Sequence, residues 1–287
     1  MGRKQTEEKT ALVTGASGGF GQFICLELAA KGYRVAAGAR RPESLAQLLK
    51  MAREAGVESR IHAIALDICL PEQIQQAMLD IGKRWGRLDL LVNNAGEAVG
   101  GFVEEVPMEA WRRQFDVNFF GTVEVTQAAL PLMRKTGNGK IILISSISGV
   151  IGFPGYGPYA ASKFALEGFG ESLSLELKPF GIDVVIVEPG AYGTPIWGKG
   201  FSEMKVRENS PYRQPLENVL KFSRRTAESS GNPREVAALV GKIANTGMPK
   251  FRYRLPRGTR WTIAAKQLLP YRIFQRIVLH AISRGKS

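Results

Sequence analysis

A tyrosine and a lysine four residues apart, Tyr159 and Lys163 in Tyr-Ala-Ala-Ser-Lys, are the residues of this sequence best suited to chemistry. On a helix, positions i and i+4 share one face, with Cβ atoms about 6 Å apart. A free phenol has a pKa of about 10. A neighbouring ammonium favours the phenolate and lowers that value. Such a tyrosine can pass a proton to or from a small-molecule oxygen near neutral pH. The apolar run before it, Ile141–Ile144, closes on Ser145-Ser146, so a hydroxyl emerges where that strand ends. The spacing alone fits a solvated helix equally well; the elements around it decide its weight.

A second cluster follows the first apolar run. Thr14-Gly15-Ala16-Ser17-Gly18-Gly19-Phe20-Gly21 opens a helical pattern. Glycines permit a tight turn and close approach of backbone to a pyrophosphate, and a helix N-terminus offers unpaired N–H groups. Gly15, Ser17, Gly19, Phe20 and Gly21 are the candidate cradle. A unit that binds NAD(H) carries a carboxylate after its second strand for the ribose hydroxyls. Here Ala39-Arg40-Arg41 stands there. A guanidinium fork matches a phosphate bidentately, so Arg40 and Arg41 favour NADP(H) over NAD(H). The alternative is that both are solvated loop charges.

These clusters need a scaffold. Ala11–Val13, Arg34–Ala37, Ile61–Leu66, Leu88–Val92, Lys140–Ser145, Asp183–Val187 and Phe251–Leu255 read as strands. Helical patterns begin near Gly19, Pro42, Pro71, Met108, Tyr159 and Pro233. Alternation of this kind predicts an α/β fold of Rossmann type: a doubly wound, seven-stranded, mostly parallel sheet with helices on both faces. Ala191–Gly231 breaks the rhythm with a long stretch rich in Gly, Pro and Ser. At the carboxyl edge of such a sheet it reads as a lid over a substrate, or as a plain surface loop. Ile196, Trp197, Phe201, Met204 and Tyr212 are its candidate apolar contacts.

With these residues in place, the chain resembles the short-chain dehydrogenase/reductase family over roughly residues 9–255. The resemblance rests on Thr14–Gly21 (TGxxxGxG), Asn93-Asn94-Ala95-Gly96 (NNAG), Asn118, Ser146 thirteen positions before Tyr159, Tyr159/Lys163 (YxxxK) and Pro189-Gly190, all in the family's order. It implies that Tyr159 is the general acid or base and that Ser146 polarises the substrate carbonyl. Lys163 then holds the nicotinamide ribose and lowers the tyrosine pKa, and Asn118 holds a proton-relaying water. Asn118 also suits a hydrogen-bonded bend in its helix. The resemblance further implies that Asn94, Ala95 and Gly96 line the cofactor site and that Asp67 and Ile68 frame the adenine. Pro189, Gly190 and Thr194 would lie by the nicotinamide amide and diphosphate. The implied reaction is hydride transfer between NADP(H) and a carbonyl/alcohol pair, in a homodimer or homotetramer.

The remaining composition sets bounds. The 287 residues suffice for one α/β unit over about 1–255, carrying the lid at 191–231, followed by an extension over 256–287. A looser resemblance, through that extension and Leu268-Leu269-Pro270, points to the hydroxysteroid and retinol dehydrogenase-like branch. It implies a bulky apolar substrate of steroid-, retinoid- or lipid-like kind. Two cysteines, Cys25 and Cys69, read as buried fillers, and two histidines give no metal cluster. Ten of the thirteen net positive charges fall after Pro249, in a stretch without acids. The body is therefore no candidate for nucleic acid. Ile273, Phe274, Ile277, Val278 and Ala281, with Arg272, Arg276 and Arg284, make the end an amphipathic helix. It suits packing on the body or a second subunit, peripheral contact with a membrane surface, or an acidic partner. No run approaches the roughly 20 apolar residues of a membrane span, and the charged start lacks a secretory centre, so a cytoplasmic setting is expected. Gly2 and Thr6 match a short myristoylation pattern, more simply read as a disordered start.

Overall fold

The computed structural model describes residues 8–196, 209–228, 230–256 and 258–283. Seven strands, β1 (Thr10–Val13), β2 (Arg34–Ala39), β3 (Ile61–Ala65), β4 (Leu90–Asn93), β5 (Gly139–Ile144), β6 (Ile182–Pro189) and β7 (Arg252–Leu255), form one sheet. Its order is β3-β2-β1-β4-β5-β6-β7, and every pairing is parallel. The order reverses at β1, which pairs β2 on one side and β4 on the other. A cleft opens at such a switch point, beyond the carboxyl ends of the strands.

Alternation along the strands explains why helices cover both faces. Ala11 and Val13 join one core with Ile142, Val185 and Val187, while Leu12 joins the opposite core with Leu91, Ile141 and Leu143. Period-two side chains buried on both sides give continuous apolar runs. The first core is closed by α1 (Gly19–Ala30) and α2 (Ala46–Glu54). The second is closed by α3 (Pro71–Trp85), α5 (Gly121–Arg134) and α6 (Gly157–Leu177), with α4 (Met108–Phe115) packed on α6. Within the 191–231 stretch lies α7 (Arg213–Glu228). The chain then forms α8 (Pro233–Ala244), which packs on α1. Asn232 caps α8 by accepting the Arg234 N–H (3.0 Å), as its Asn-Pro start predicts.

After β7 come two helices, α9 (Thr259–Leu268) and α10 (Tyr271–Ser283). Phe274 packs with Ile151 and Ile263, and Ile282 packs with Tyr156, Leu216 and Val219. The extension is thus bound to α7 and to the segment joining β5 to α6. The expectations for α7 and α9 differ from the sequence reading. Both were hidden in stretches read only as lid and tail, because each carries a narrow apolar stripe, such as Leu216 and Val219, among polar residues. The start through residue 7, Trp197, Phe201, Met204 and Arg284 lie outside the described residues.

Candidate active site

The turn from β1 to α1 is set by backbone economy. Gly15 has φ +66°, and a Cβ there would meet the Ala95 Cα at 2.8 Å. Gly21 sits closer still: a Cβ would stand 2.2 Å from the Gly15 carbonyl oxygen and 2.7 Å from Asn94 Nδ2. Asn94 ties the two loops together, donating from Nδ2 to the carbonyls of Thr14 (2.9 Å) and Gly15 (3.1 Å). Thr14 Oγ1 in return accepts the N–H groups of Asn94 and Ala95, each at 3.0 Å. The first turn of α1 has no side-chain cap, so its N–H groups are left for an anion. Gly21→Ala is expected to lower the melting temperature and weaken dinucleotide binding at least tenfold, because two backbone strands must part. Unchanged binding by fluorescence titration would show that the turn tolerates the methyl.

These loops open on a cleft of about 470 Å³. Ser17, Gly19, Phe20, Arg40, Asp67, Ile68, Asn94, Ala95, Gly96, Ser146, Tyr159, Lys163, Pro189, Gly190 and Thr194 all line it, with Thr194 against the start of α1, its Cβ 3.7 Å from where a Gly19 Cβ would stand. Gly15 also lines it. Two expected members do not. Gly21 is buried beneath the turn and acts by fit. Arg41 is not among the lining residues; its carbonyl accepts the Ser44 hydroxyl at 2.6 Å where the chain turns into a 3-10 segment.

Tyr159 and Lys163 are both buried on α6. Ser146 caps the short turn after β5, its Oγ accepting the Ser148 N–H at 3.1 Å, and it hydrogen-bonds the Tyr159 phenol. The Ser146 O–H donates toward the Tyr159 phenol, which is why this bond lowers the phenol pKa, and a substrate oxygen would take that place. Lys163 Nζ stands 5.9 Å from the Tyr159 ring centroid and donates to the Ile144 carbonyl at 2.8 Å. Burial pulls the Lys163 amine down to about 8, against the opposing pull of Glu167. The phenol departs from the sequence expectation: burial raises the Tyr159 pKa, and only the Ser146 hydrogen bond lowers it. Desolvation is the larger of the two effects.

Asn118 sits in a π-helical turn, Asp116–Phe120, that interrupts what the sequence suggests is one long helix. Its Oδ1 accepts the Glu97 N–H (2.9 Å), and its Nδ2 donates to the Glu97 carbonyl (3.0 Å) and to Ser162 Oγ (3.1 Å). A Cβ on Gly96 would lie 3.3 Å from Asn118 Oδ1 and 3.8 Å from Lys163 Nζ, so the three meet at one point.

Several participants escaped the sequence reading. Glu97 and Arg113 pair at 2.8 Å and both line the cleft. Tyr192 is fully buried, edge-on to Phe20 at 5.6 Å, with its hydroxyl donating to Glu235 (3.2 Å). Cys69 is exposed and lines the cleft, contrary to its reading as buried filler. Its position just past β3 puts it at the carboxyl edge, and partial burial with nearby Asp67 holds its thiol up at about 11. Behind Lys163 lies a further group. Glu167 pairs Arg252 (3.1 Å), and the fully buried Glu188 pairs Arg252 (3.3 Å) and Arg254 (2.8 Å). Of the lid candidates, Ile196 lines the cleft. Tyr212 instead stacks on Phe102 at 4.6 Å and donates to Glu104 at 2.6 Å.

A parallel doubly wound sheet with a Gly-rich turn at its switch point and a Ser-Tyr-Lys cluster in the same cleft defines a dinucleotide-type oxidoreductase site. The family description "short chain dehydrogenase" matches residues 9–205. The chain is 43% identical to an uncharacterized oxidoreductase, YusZ, of Bacillus subtilis, over 94% of this chain and 97% of that protein. It is 36% identical to a 3-ketodihydrosphingosine reductase of Bacteroides thetaiotaomicron, covering 85% and 86% of the two. Among solved structures, an actinorhodin polyketide ketoreductase with NADPH superposes with a TM-score of 0.75 at 32% identity, over 88% of this chain and 97% of that one. The chain belongs to the short-chain dehydrogenase/reductase family and is an oxidoreductase of that family.

Proposed function

We propose that the chain interconverts a carbonyl and an alcohol with NADP(H), on a bulky apolar substrate of lipid-like, retinoid-like or steroid-like kind. The observation that carries this reading is that Ser146, Tyr159 and Lys163 line the same cleft as the uncapped start of α1. When bound, the nicotinamide supplies or accepts the hydride. Ser17 of the turn and the α1 N–H groups at Gly19 and Phe20 would hold the diphosphate, and Asp67 and Ile68 the adenine. Lys163 would hold the nicotinamide ribose, with Asn94, Ala95, Gly96, Pro189, Gly190 and Thr194 closing around the rest. Ser146 donates its O–H to the carbonyl oxygen and so fixes the substrate against Tyr159. Tyr159, kept protonated by burial, delivers the proton in reduction and takes it back in oxidation. Carbonyl reduction should therefore fall, and alcohol oxidation rise, as pH climbs through the range in which Tyr159 ionises.

NADP(H) is favoured by Arg40, which lines the cleft directly after β2 where no carboxylate stands. A relative's structure holds NADPH, and another relative is named for reduction of a keto group. Arg40→Ser should weaken NADPH binding about 10- to 100-fold with little effect on NADH, the loss of one charge-assisted pair. Arg41→Ser should change it less than about threefold, since that side chain lies outside the lining. Equal losses for both cofactors in Arg40→Ser would refute the assignment. The activity itself is tested by NADPH oxidation over ketones and aldehydes running from short aliphatic to long-chain, steroid-sized and retinoid-sized. Turnover confined to short polar carbonyls would remove the bulky-substrate reading, and a mass measurement in solution would settle the expected dimer or tetramer.

A further inference from the structure

We propose that α9 and α10 form a docking surface for an anionic lipid bilayer. The face they keep for themselves is already used: Ile263, Phe274 and Ile282 are buried against Ile151, Leu216 and Val219. The outward face carries Trp261, Leu268, Tyr271, Ile273, Ile277 and Leu279, all between 45% and 82% exposed. On α10, Ile273 and Ile277 lie one turn apart on one flank of the outward face, and Leu279 lies on the other flank. Arg272, Arg276 and His280 are exposed among them on α10. No acidic residue occurs from Pro249 to the end of the chain.

Charge selects the occupant. A symmetric contact between two copies through this face would bring two basic surfaces together with no carboxylate from either to pair them. An anionic bilayer offers the complement, phosphate for the guanidiniums and acyl chains for the indole and aliphatic groups. The geometry is that of a helix lying in the interface. Among the described residues no helix is long and apolar enough to cross a membrane. Leu269-Pro270 separates α9 from α10, so both can rest along one plane. Lys266 of α9 donates to the Val150 carbonyl and lies 5.0 Å from the Phe164 ring, anchoring the pair to the body.

The surface is joined mechanically to the site. Ile282 of α10, Leu216 and Val219 of α7, and Tyr156 share one apolar cluster, and Tyr156 stands directly before α6, which carries Tyr159. Its hydroxyl hydrogen-bonds Ser223 of α7 at 2.9 Å.

The test is cosedimentation of the full chain with vesicles of phosphatidylcholine alone and with about one third phosphatidylglycerol. Binding is read as protein mass in the pellet, which is independent of turnover and so separates failure of this inference from failure of the enzymatic one. We expect binding only to the anionic vesicles, reduced at least tenfold by Arg272→Glu with Arg276→Glu, and likewise by Ile273→Ser with Ile277→Ser. Both pairs are exposed, so the melting temperature should stay within a few degrees of wild type. Absence of binding to anionic vesicles, or binding that both variants leave unchanged, overturns the proposal. A change in solution mass of the Ile273→Ser, Ile277→Ser protein with vesicle binding intact overturns it too, and assigns the face to a second copy.

Discussion

Tyr159→Phe is expected to lower turnover about 1,000-fold while leaving NADPH binding within about threefold of wild type. The substitution removes one oxygen from a ring that is only 6% exposed, so packing is retained. What disappears is the proton donor aligned with Ser146. General acid catalysis by a placed side chain contributes about 10²- to 10⁴-fold, and the other groups of the cluster continue to orient the carbonyl. Single-turnover decay of NADPH fluorescence measures the effect on the chemical step. Retention of more than about a tenth of the wild-type rate would move proton delivery to another group, and Lys163 would be the next to replace.

The second large effect runs in two directions at once. Lys163→Met should abolish most activity and also stabilise the protein. The lysine is buried, and its amine falls from the ordinary 10.5 to about 8 in the fold. Below pH 8 the folded protein therefore carries the full penalty of a desolvated ammonium, about 3 kcal/mol at 1.36 kcal/mol per pKa unit. Between pH 8 and 10.5 the unfolded chain binds more protons than the folded one, so wild-type stability rises with pH until the penalty is gone. Methionine fills the same space without charge. Loss of the bond to the Ile144 carbonyl takes back about 1 kcal/mol. The net gain of about 2 kcal/mol corresponds to roughly 5 °C at pH 7 for a chain of this size. It should vanish near pH 10.5. A lower melting temperature at pH 7 would mean that Glu167 and its neighbours stabilise the ammonium rather than merely tolerate it.

Much of this arrangement was legible from residue types. Strands β5 and β6 were plain because four consecutive apolar residues in each can be buried only in a sheet covered on both faces. The cradle and Tyr159/Lys163 were legible because their chemistry depends on spacing along one element. Features that depend on a third dimension were not. Arg40 and Arg41 are adjacent and alike, and only the turn into the 3-10 segment at Pro42–Leu45 decides which lines the cleft. Helical spacing alone has Lys163 lowering the Tyr159 pKa, but the depth at which the fold buries the phenol raises it. Asn118 was read with both a bend and a relay, and the π turn accounts for the bend. Helix α7 was invisible because its apolar stripe has meaning only once Tyr156 and Ile282 are beside it.

The Glu188 ion cluster bears on how the protein is made. Glu188 is fully buried in β6, directly before Pro189 and Gly190 of the cleft wall, and its cationic partners are Arg252 and Arg254 of β7. Those arginines lie more than sixty residues downstream, so a ribosome has nearly finished the chain before they emerge. A nascent chain that has paired β1 through β6 still holds a carboxylate in its interior with no counter-charge from β7, a state too costly to keep closed. The wall formed by Pro189 and Gly190 is expected to be the last part of the cleft to be set, and a polypeptide cut short before β7 is expected to be digested faster than the full chain in limited proteolysis.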